Sequence, residues 1–338
     1  MLYIYFDTGT SNTRAYLIDQ YAVAASKSRK IGSKDAAIAG TNVELLKGMK
    51  GLYDQLLLEH DLSDVDIEAI YASGMATSPF GVKEVSHLPT PVSLEKLHSA
   101  VYTYFEPEYF QREINLIRGV KTTPEGFSVN RHTVHLVNNL RGEEMELFGV
   151  LAMLDTAKHA DVVIVLPGSH THAVRARNGV LCDILSCFSG ELFHALSTST
   201  ILANSIAPHM EELDSEMVLL GMKTLSQWGM NRALYLVNTM QIFSKMSRIE
   251  KTSYLEGVVS GGVVLALAQH LASAWQGVQG AIVAGGERIV KVYELLLNNI
   301  VETTGLQIEV QSLIVPPGES LAARGFIELL KSRDSLNR

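Results

Sequence analysis

The sequence is poor in cysteine, and this scarcity bears on both the compartment and the kind of site. Cys182 and Cys187 are the only cysteines among 338 residues. Two thiols are too few for a disulfide framework, and their spacing does not match a CxxC redox or zinc motif. We therefore expect a protein of the reducing cytoplasm.

The chain also lacks an excess of positive charge and a long apolar run. Its 28 Lys and Arg residues are outnumbered by 36 Asp and Glu residues, which gives a net charge of −8. This balance disfavours nucleic-acid binding, because a basic face is needed to follow a phosphate backbone. The first residues show no signal-peptide pattern, and the apolar run at 258–268 contains glycine and serine, so we expect a buried helix there. No nucleic-acid or membrane partner is predicted.

Three common catalytic signatures are missing as well. The sequence contains no GxxxxGK[ST] phosphate loop, no GxGxxG dinucleotide turn and no GxSxG nucleophile elbow. P-loop kinases, Rossmann oxidoreductases and serine hydrolases are therefore disfavoured. What remains is an ordinary globular composition, 47% hydrophobic and 19% charged, in a chain long enough for two domains with a cleft between them.

Hydrophobic periodicity predicts two β-meanders about 160 residues apart, each followed by helices. The first has strands at 2–6, 13–18 and 21–28, and the second starts at 161–166 and continues through a hairpin at Asn178-Gly179. Two similar α/β halves are therefore expected. Other predicted strands lie at 67–71 and 281–284, loop or edge structure lies at 79–93, and helices lie at 43–60, 142–154, 287–298, 319–330 and in much of 191–274.

A donor-rich turn follows the first predicted strand. Its glycine lets a ligand approach the backbone, its hydroxyl and N–H groups can donate to phosphate oxygens, and its aspartate can hold a hydrated Mg²⁺. The alternative is a solvent-capped hairpin, although a carboxylate at the end of a buried strand is costly without water, a cation or donors nearby. The candidate residues are Asp7, Thr8, Gly9, Thr10, Ser11 and Arg14.

A second donor-rich turn follows the second buried strand, at Pro167, Gly168, Ser169, His170 and Thr171. Two such turns, one in each half, could bind the phosphates of a nucleotide. The pairs His170/His172 and His132/His135 also raise the question of a zinc site. Without thiolates or a third ligand at a recognisable spacing, we interpret them as turn and strand histidines.

Two further segments could take part in phosphoryl transfer. Arg141 and Gly142 precede Glu143 and Glu144 at the start of a predicted helix, and one of these glutamates could accept a hydroxyl proton. The alternative is charge complementarity at a helix N-terminus with a surface ion pair. The pair Gly285-Gly286 lies between a strand and a helix and could let the backbone lie flat against a nucleobase, although Gly-Gly before a helix is frequent.

These motifs, in this order, resemble those of the actin-like ATPase and hexokinase superfamily, and more closely those of the 2-dehydro-3-deoxygalactonokinase family. The segments similar to that family extend from residue 3 to about residue 325. They are the RGEE segment at 141–149, the PG[ST]H turn at 167–170, the [ST]GEL-x-H segment at 189–194, the AG pair at 284–285, the small-residue helix at 318–325 and the GM-x-x-S region from Gly74.

The resemblance implies an α/β fold with two actin-like (ribonuclease H-like) domains and a cleft between them. We assign residues 1–140 to a domain that binds the sugar acid and phosphate, 141–325 to a nucleotide-binding domain, and 326–338 to a helix end and tail, with disorder expected after about Lys331. The implied reaction is transfer of the γ-phosphate of ATP to the 6-hydroxyl of 2-dehydro-3-deoxy-D-galactonate, with Mg²⁺, in galactonate catabolism.

The resemblance also implies roles for individual residues. Related carbohydrate kinases carry an aspartate as the catalytic base where this chain has a glutamate, so Glu143 and Glu144 are both candidates, and we favour Glu143. Near-normal turnover without the Glu143 carboxylate would shift the role to Glu144 or Asp183. Asp7 would position Mg²⁺ through water, and Arg14 would either assist the transition-state charge or brace its turn. The remaining nucleotide contacts would come from the two turns and from Gly285 and Gly286. The candidate substrate residues are Gly74, Met75, Ser78, Lys83 and Arg141.

One helix departs from the family pattern. Relatives carry an acidic residue between Tyr254 and Val264 where this chain has Gly261 or Gly262, so a sugar contact from that helix is in doubt. The glycine-rich stretch near Gly257 could pack inside a domain or against a partner, which leaves a homo-oligomer open. The competing functions are a kinase of another sugar or 2-keto-3-deoxy sugar acid, and an inactive sugar-responsive regulator.

Overall fold

A continuous run of apolar and aromatic residues at the N-terminus forms a central strand, and the rest of the first sheet is built around it. The computed structural model describes residues 1–154, 160–207 and 212–336. The strands in this part of the chain are β1 (Leu2–Thr8), β2 (Thr13–Asp19), β3 (Ala22–Arg29), β4 (Ile67–Gly74), β5 (Leu88–Pro89), β6 (Tyr102–Glu106), β7 (Arg112–Leu116), β8 (Val120–Lys121), β9 (Asn139–Leu140), β10 (Asp161–Leu166), β11 (His170–Arg177), β12 (Val180–Phe188), β13 (Gly280–Gly285) and β14 (Glu309–Ile314).

The helices follow the apolar periodicity read from the sequence. The α-helices in the described residues are α1 (Ser33–Ala39), α2 (Val43–Glu59), α3 (Leu94–Ser99), α4 (Glu143–Leu151), α5 (Gly190–Ser199), α6 (Ser215–Trp228), α7 (Met230–Phe243), α8 (Arg248–Ser273), α9 (Glu287–Thr304) and α10 (Leu321–Leu336).

The two large sheets share one strand order. The first runs β3-β2-β1-β4-β7-β6, and the second runs β12-β11-β10-β13-β14. In each, a strand at the centre is antiparallel to its meander partner on one side and parallel to a later strand on the other. The prediction of an α/β protein with two similar halves is therefore confirmed.

The chain divides into two compact units, and the division differs from the predicted domain boundaries. Unit 1 comprises Met1–Thr156, Gly179–Asp183 and Ser320–Arg338, and unit 2 comprises Ala157–Asn178 and Ile184–Glu319. The segment after residue 140 thus belongs to unit 1, because α4 packs within that unit. The C-terminal helix also returns to unit 1 and continues to residue 336, beyond the point at which we expected disorder.

Glycines allow a close helix pair in each unit. In unit 1, a Cβ added at Gly325 of α10 would lie 1.9 Å from the carbonyl oxygen of Met145 in α4. In unit 2, a Cβ added at Gly257 of α8 would lie 1.9 Å from the carbonyl oxygen of Val218 in α6. Real Cβ atoms do not approach an oxygen so closely, so both positions require glycine. The glycine-rich stretch near Gly257 therefore packs inside unit 2.

Helix α8 is long and apolar enough to cross a membrane by length and composition alone, but 61% of its most apolar window is buried inside the protein. Its buried residues include Tyr254, Val258 and Val264. Core helices often have this composition, and the buried helix predicted at 258–268 is confirmed as part of α8.

Candidate functional site

The candidate catalytic residues of unit 1 begin with Asp7, which lies near the end of β1. Asp7 pairs with Arg14 across the antiparallel β1–β2 ladder and with Ser73 across the parallel β1–β4 ladder. An Arg14 guanidinium nitrogen lies 3.6 Å from Asp7 Oδ2, and the side chain of Asp7 is 17% exposed against 56% for Arg14. The carboxylate is therefore shielded but reachable, and one positive charge lies beside it.

The turn after β1 has the construction that the sequence indicated. The Gly9 N–H donates to the Asn12 carbonyl at 2.8 Å, and the carbonyls of Gly9 and Thr10 accept from the first N–H groups of α1, at Ser33 and Lys34. The side chains of Thr10 and Ser11 are left exposed. The N–H groups at the start of α1 thus hold the turn through its carbonyl groups.

Thr8 carries a buried hydroxyl at the base of this turn. The residue is 1% exposed, and its Oγ1 has no hydrogen-bond partner among the residues that the structure describes. An unsatisfied buried hydroxyl is costly. A ligand that supplied a polar atom at this point would remove that cost.

Two glycines bring the start of α4 to the ends of β1 and β4. Gly74 ends β4 with φ +69°, and Gly142 precedes α4 with φ +114°, both in the left-handed region that favours glycine. A Cβ on Gly142 would lie 3.2 Å from the Cα of Gly74, and a Cβ on Gly74 would lie 2.4 Å from the carbonyl oxygen of Thr8. The first turn of α4 therefore lies beside the end of β1.

This crossing places the predicted glutamates in the same unit and region as Asp7. Glu143 is half-buried, and one of its carboxylate oxygens accepts from the backbone N–H of Arg141 at 3.0 Å. Glu144 is fully buried, and its Oε2 accepts from the N–H of Gly142 at 2.6 Å, while its Oε1 has no partner in the described part of the chain. The two neighbouring glutamates thus occupy different environments.

Burial and neighbouring charges raise the pKa values of Asp7 and Glu144 in this cluster. Burial raises the pKa of Asp7, Arg14 opposes that rise, and Glu143 adds to it. Burial and the charge of Glu143 raise the pKa of Glu144 to about 8. A carboxyl group with that pKa is largely protonated at neutral pH.

Glu146 is a member of the cluster that the sequence analysis missed. Burial and the charges of Asp7 and Glu143 raise its pKa to about 8, and Arg14 lowers it. Glu146 stands three residues after Glu143, so both point to one side of α4. That spacing was the available signal, and it becomes meaningful only once α4 is known to start beside Asp7.

The predicted substrate residues lie on or next to the segment after β4. Met75 begins a short helical turn, Met75–Thr77. The hydroxyl of Ser78 donates to the Met75 carbonyl at 2.8 Å. Lys83 is exposed, and its ammonium lies 5.8 Å from the centre of the Tyr104 ring. Arg141 donates its guanidinium hydrogens to this same segment.

The second donor-rich turn belongs to unit 2 and joins β10 to β11. A Cβ on Gly190, the first residue of α5, would lie 2.3 Å from the carbonyl oxygen of Gly168, and the N–H of Glu191 donates to the Ser169 carbonyl at 2.9 Å. The Nε2 atom of His170 lies 3.7 Å from Oε2 of Glu191. Thr171 shares its hydroxyl with Ser189 at 2.8 Å and Tyr293 at 2.7 Å.

A cavity of about 90 Å³ lies beside this turn, entirely within unit 2. It is bounded by the turn, the start of α5, one face of α8 and the first turns of α9. Gly285 and Gly286 immediately precede α9. The lining residues are Pro167, Gly168, Thr171, Ser189, Gly190, Phe193, Glu256, Val259, Ser260, Ile289 and Tyr293.

Glu256 adds an unexpected charge to this cavity. It forms a short ion pair with Arg288, and burial raises its pKa. Its Oε2 is buried and meets no partner among the described residues. Helix α8 has glycine, Gly261 or Gly262, where the family carries an acidic residue. It does carry an acidic residue at Glu256, on the face that lines the cavity.

No group of three or more His, Cys, Asp or Glu side chains is arranged to hold a metal ion, as far as the described residues extend. His172 bonds through Nδ1 to Ser186, and its ring lies edge-on to that of His170. Asp183, considered as an alternative base, lies half-buried on β12.

The chain is similar to known proteins along most of its length. A model of the family described as 2-keto-3-deoxy-galactonokinase matches residues 7–315. The Rhizobium meliloti (strain 1021) protein named "Probable 2-dehydro-3-deoxygalactonokinase DgoK1" is 26% identical over 209 residues, which are 61% of this chain and 59% of that protein. The Escherichia coli (strain K12) 2-dehydro-3-deoxygalactonokinase is 24% identical over 135 residues, 40% of this chain and 44% of that one.

A solved structure shares the fold. The crystal structure of a Sinorhizobium meliloti protein assigned as a 2-dehydro-3-deoxygalactonokinase matches with a TM-score of 0.72 and 21% identity, and the match covers 99% of both chains. The matches to the two curated relatives span only about half of each relative's length. The family model covers most of the present chain, from the Asp7 turn past β14. The chain therefore belongs to the 2-keto-3-deoxy-galactonokinase family.

Proposed function

We propose that this protein is a cytoplasmic, Mg²⁺-dependent kinase that transfers the γ-phosphate of ATP to the 6-hydroxyl of 2-dehydro-3-deoxy-D-galactonate, in galactonate catabolism. Family membership supports the reaction class. The observation that carries the proposal is the approach of Gly142 to Gly74, which sets the first turn of α4 beside Asp7. A base and a metal-binding carboxylate are the two groups that phosphoryl transfer to an alcohol requires.

Glu143 is the better candidate for the base. Glu144 is fully buried, and its raised pKa of about 8 keeps it mostly protonated at neutral pH. Glu143 is half-buried and can meet a substrate. Its carboxylate accepts the hydroxyl proton while the sugar oxygen bonds to the γ-phosphorus and the bond from that phosphorus to the β–γ bridging oxygen breaks, which releases ADP.

The residues around Asp7 fit a metal–phosphate group. Asp7 has a shielded carboxylate with a raised pKa, and the Thr8 hydroxyl is buried without a partner. A cation offsets the cost of ionising Asp7, and a phosphate oxygen accepts from Thr8. Mg²⁺ in proteins is usually held by one or two carboxylates with water and substrate phosphates, so one aspartate suffices. When bound, Mg²⁺ would neutralise charge on the transferred phosphoryl group.

Unit 2 supplies the remaining nucleotide contacts in this proposal. The backbone of the turn 167–171 is fixed by α5 from one side, and the Thr171 hydroxyl is fixed by Ser189 and Tyr293. A rigid donor turn beside a partly apolar cavity suits a phosphate and the group attached to it. Gly285 and Gly286, at the start of α9, would let that group approach the backbone.

The test is an ADP-release assay with purified protein, ATP and Mg²⁺ across a panel of 2-keto-3-deoxy sugar acids and plain sugars. We expect 2-dehydro-3-deoxy-D-galactonate to give the highest kcat/KM. Turnover of another sugar acid with 2-dehydro-3-deoxy-D-galactonate inert would contradict the substrate, since specificity resides in loops that a shared fold does not fix. Absence of turnover with every acceptor would favour a sugar-responsive regulator.

A further inference from the structure

The segment 77–87, here called the substrate loop, follows β4 and folds back on itself. The N–H of Val82 donates to the Ala76 carbonyl at 2.7 Å, and the N–H of Val85 donates to the Thr77 carbonyl at 3.0 Å. Asn42 donates from its side chain to the Gly81 carbonyl at 2.8 Å. The loop therefore has a defined shape of its own, and Asn42 ties its middle to the start of α2.

One guanidinium ties both ends of this loop together. Arg141 donates through Nη1 to the backbone oxygen and the hydroxyl of Thr77, which is fully buried. It donates through Nη2 to the Val85 carbonyl and to Nδ1 of His87, both at 3.2 Å. Both terminal nitrogens of a residue that we predicted to bind substrate thus have partners inside the protein.

The same residue contacts the candidate base through its main chain. Arg141 directly precedes Gly142, and its N–H donates to a carboxylate oxygen of Glu143 at 3.0 Å. The side chain of Arg141 thus fixes the loop, while its backbone fixes Glu143. A planar guanidinium can hold four acceptors at set angles, which the single nitrogen of lysine cannot reproduce.

We infer that Arg141 is a positioning residue that couples the substrate loop to the base, so that the acceptor hydroxyl and Glu143 keep one relative placement. This inference rests on the proposed kinase function. It reassigns Arg141 from a substrate ligand to a group that acts through its neighbours. Misplacement by about 1 Å is enough to slow a positioned reaction by two orders of magnitude.

His87 completes the arrangement because its Nδ1 must keep a lone pair to accept from Arg141. Burial, with the charges of Arg141, Lys121 and Arg118, lowers the pKa of His87 to about 4. The ring is therefore neutral at physiological pH and remains an acceptor. Asparagine can offer an oxygen near the position of Nδ1, whereas leucine offers none.

The experiment measures kinetics and amide hydrogen exchange in the full-length protein for Arg141→Lys, His87→Leu and His87→Asn. We expect Arg141→Lys to raise KM for the sugar acid at least tenfold, to lower kcat at least tenfold and to leave KM for ATP within twofold. Exchange at Val82 and Val85 should accelerate at least tenfold without substrate. His87→Leu should show a smaller change in the same direction, and His87→Asn should restore most of it.

Arg118→Lys is the matched control, because Arg118 binds the same loop at Ser86 without any contact of its side chain to α4 in the bonds described. Its KM and kcat should stay within twofold of wild type. Two results would overturn the inference: normal kinetics in Arg141→Lys, or a raised KM with unchanged loop exchange, which indicates direct substrate contact. The exchange measurement needs no substrate, so it decides the matter even if the acceptor differs from the one proposed.

Discussion

The two units carry the same strand order and opposite chemistry at the first turn. Near the end of β1, unit 1 has Asp7 paired with Arg14, whereas unit 2 ends β10 with buried Leu166 paired with His172. The turn of unit 1 adjoins three glutamates of α4, whereas the turn 167–171 offers hydroxyls and backbone N–H groups. In the proposed kinase, one scaffold would thus supply the base and the metal-binding carboxylate in unit 1 and neutral phosphate donors in unit 2.

The threonines of the two turns sharpen this contrast. Thr8 in unit 1 has a buried hydroxyl without a partner, whereas Thr171 in unit 2 shares its hydroxyl with Ser189 and Tyr293. The Thr171 hydroxyl is therefore satisfied within unit 2, whereas we propose that a ligand satisfies the Thr8 hydroxyl. The two threonines do not occupy matching positions, because Thr8 ends β1 and Thr171 lies near the start of β11.

The largest expected effect concerns the feature that the units share, the glycine at each helix crossing. Gly325→Ala in unit 1 and Gly257→Ala in unit 2 should each lower the free energy of unfolding by about 3 kcal/mol, because the new methyl group meets a carbonyl oxygen. Chemical denaturation measures this. Gly262→Ala on α8 is the control: its nearest neighbour would be 3.6 Å away, so helix propensity should stabilise it by about 0.5 kcal/mol.

The next prediction compares the stability cost of removing the hydroxyl of Thr171 with that of removing the hydroxyl of Thr8. Thr171→Val should cost about 2 kcal/mol of unfolding free energy, because Ser189 and Tyr293 lose a buried partner. Thr8→Val should cost little in ligand-free protein and should instead raise KM for ATP. Thermal unfolding with and without ATP checks both. Equal destabilisation of the two variants would remove the distinction between a preformed and a ligand-dependent bond.

A smaller effect comes from the buried glutamate of unit 1. The pKa of Glu144 is raised to about 8 in the folded protein from a value near 4.5, so the folded state holds a proton that the unfolded chain releases between those pH values. This contribution to stability is present at low pH and is lost as pH rises through 8. Glu144→Gln should therefore make the fall in unfolding free energy between pH 5 and pH 8, measured by chemical denaturation, distinctly smaller. An unchanged pH profile would show that Glu144 is ionised in the native state.

Local features of this fold could be predicted from the sequence. Both meanders, the turn at Asp7 and the start of α4 were readable, because apolar alternation, glycine and first-turn acids act over a few residues. Strands β6, β7 and β14 were not predicted. Strands β6 and β14 lie at the edges of their sheets and show no clean alternation of buried and exposed residues, so hydrophobic periodicity does not identify them.

The candidate site was predicted only in part, since its geometry depends on distant segments. The crossing of Gly74 and Gly142 joins residues 68 positions apart, and nothing local indicates it. Glu146 acquires its environment through that crossing. Arg141 was assigned to the substrate site on the family resemblance, but its hydrogen-bond partners lie 54 to 64 residues earlier in the chain.

The central claim is that Glu143, beside Asp7 in unit 1, removes the proton of the acceptor hydroxyl. The most direct measurement is kcat for Glu143→Gln, with Glu146→Gln as the neighbouring control. We predict that Glu143→Gln lowers kcat at least about a hundredfold with KM for ATP nearly unchanged, and that Glu146→Gln loses much less. Near-normal turnover in Glu143→Gln would contradict the account and move the role of base to Glu144 or Asp183.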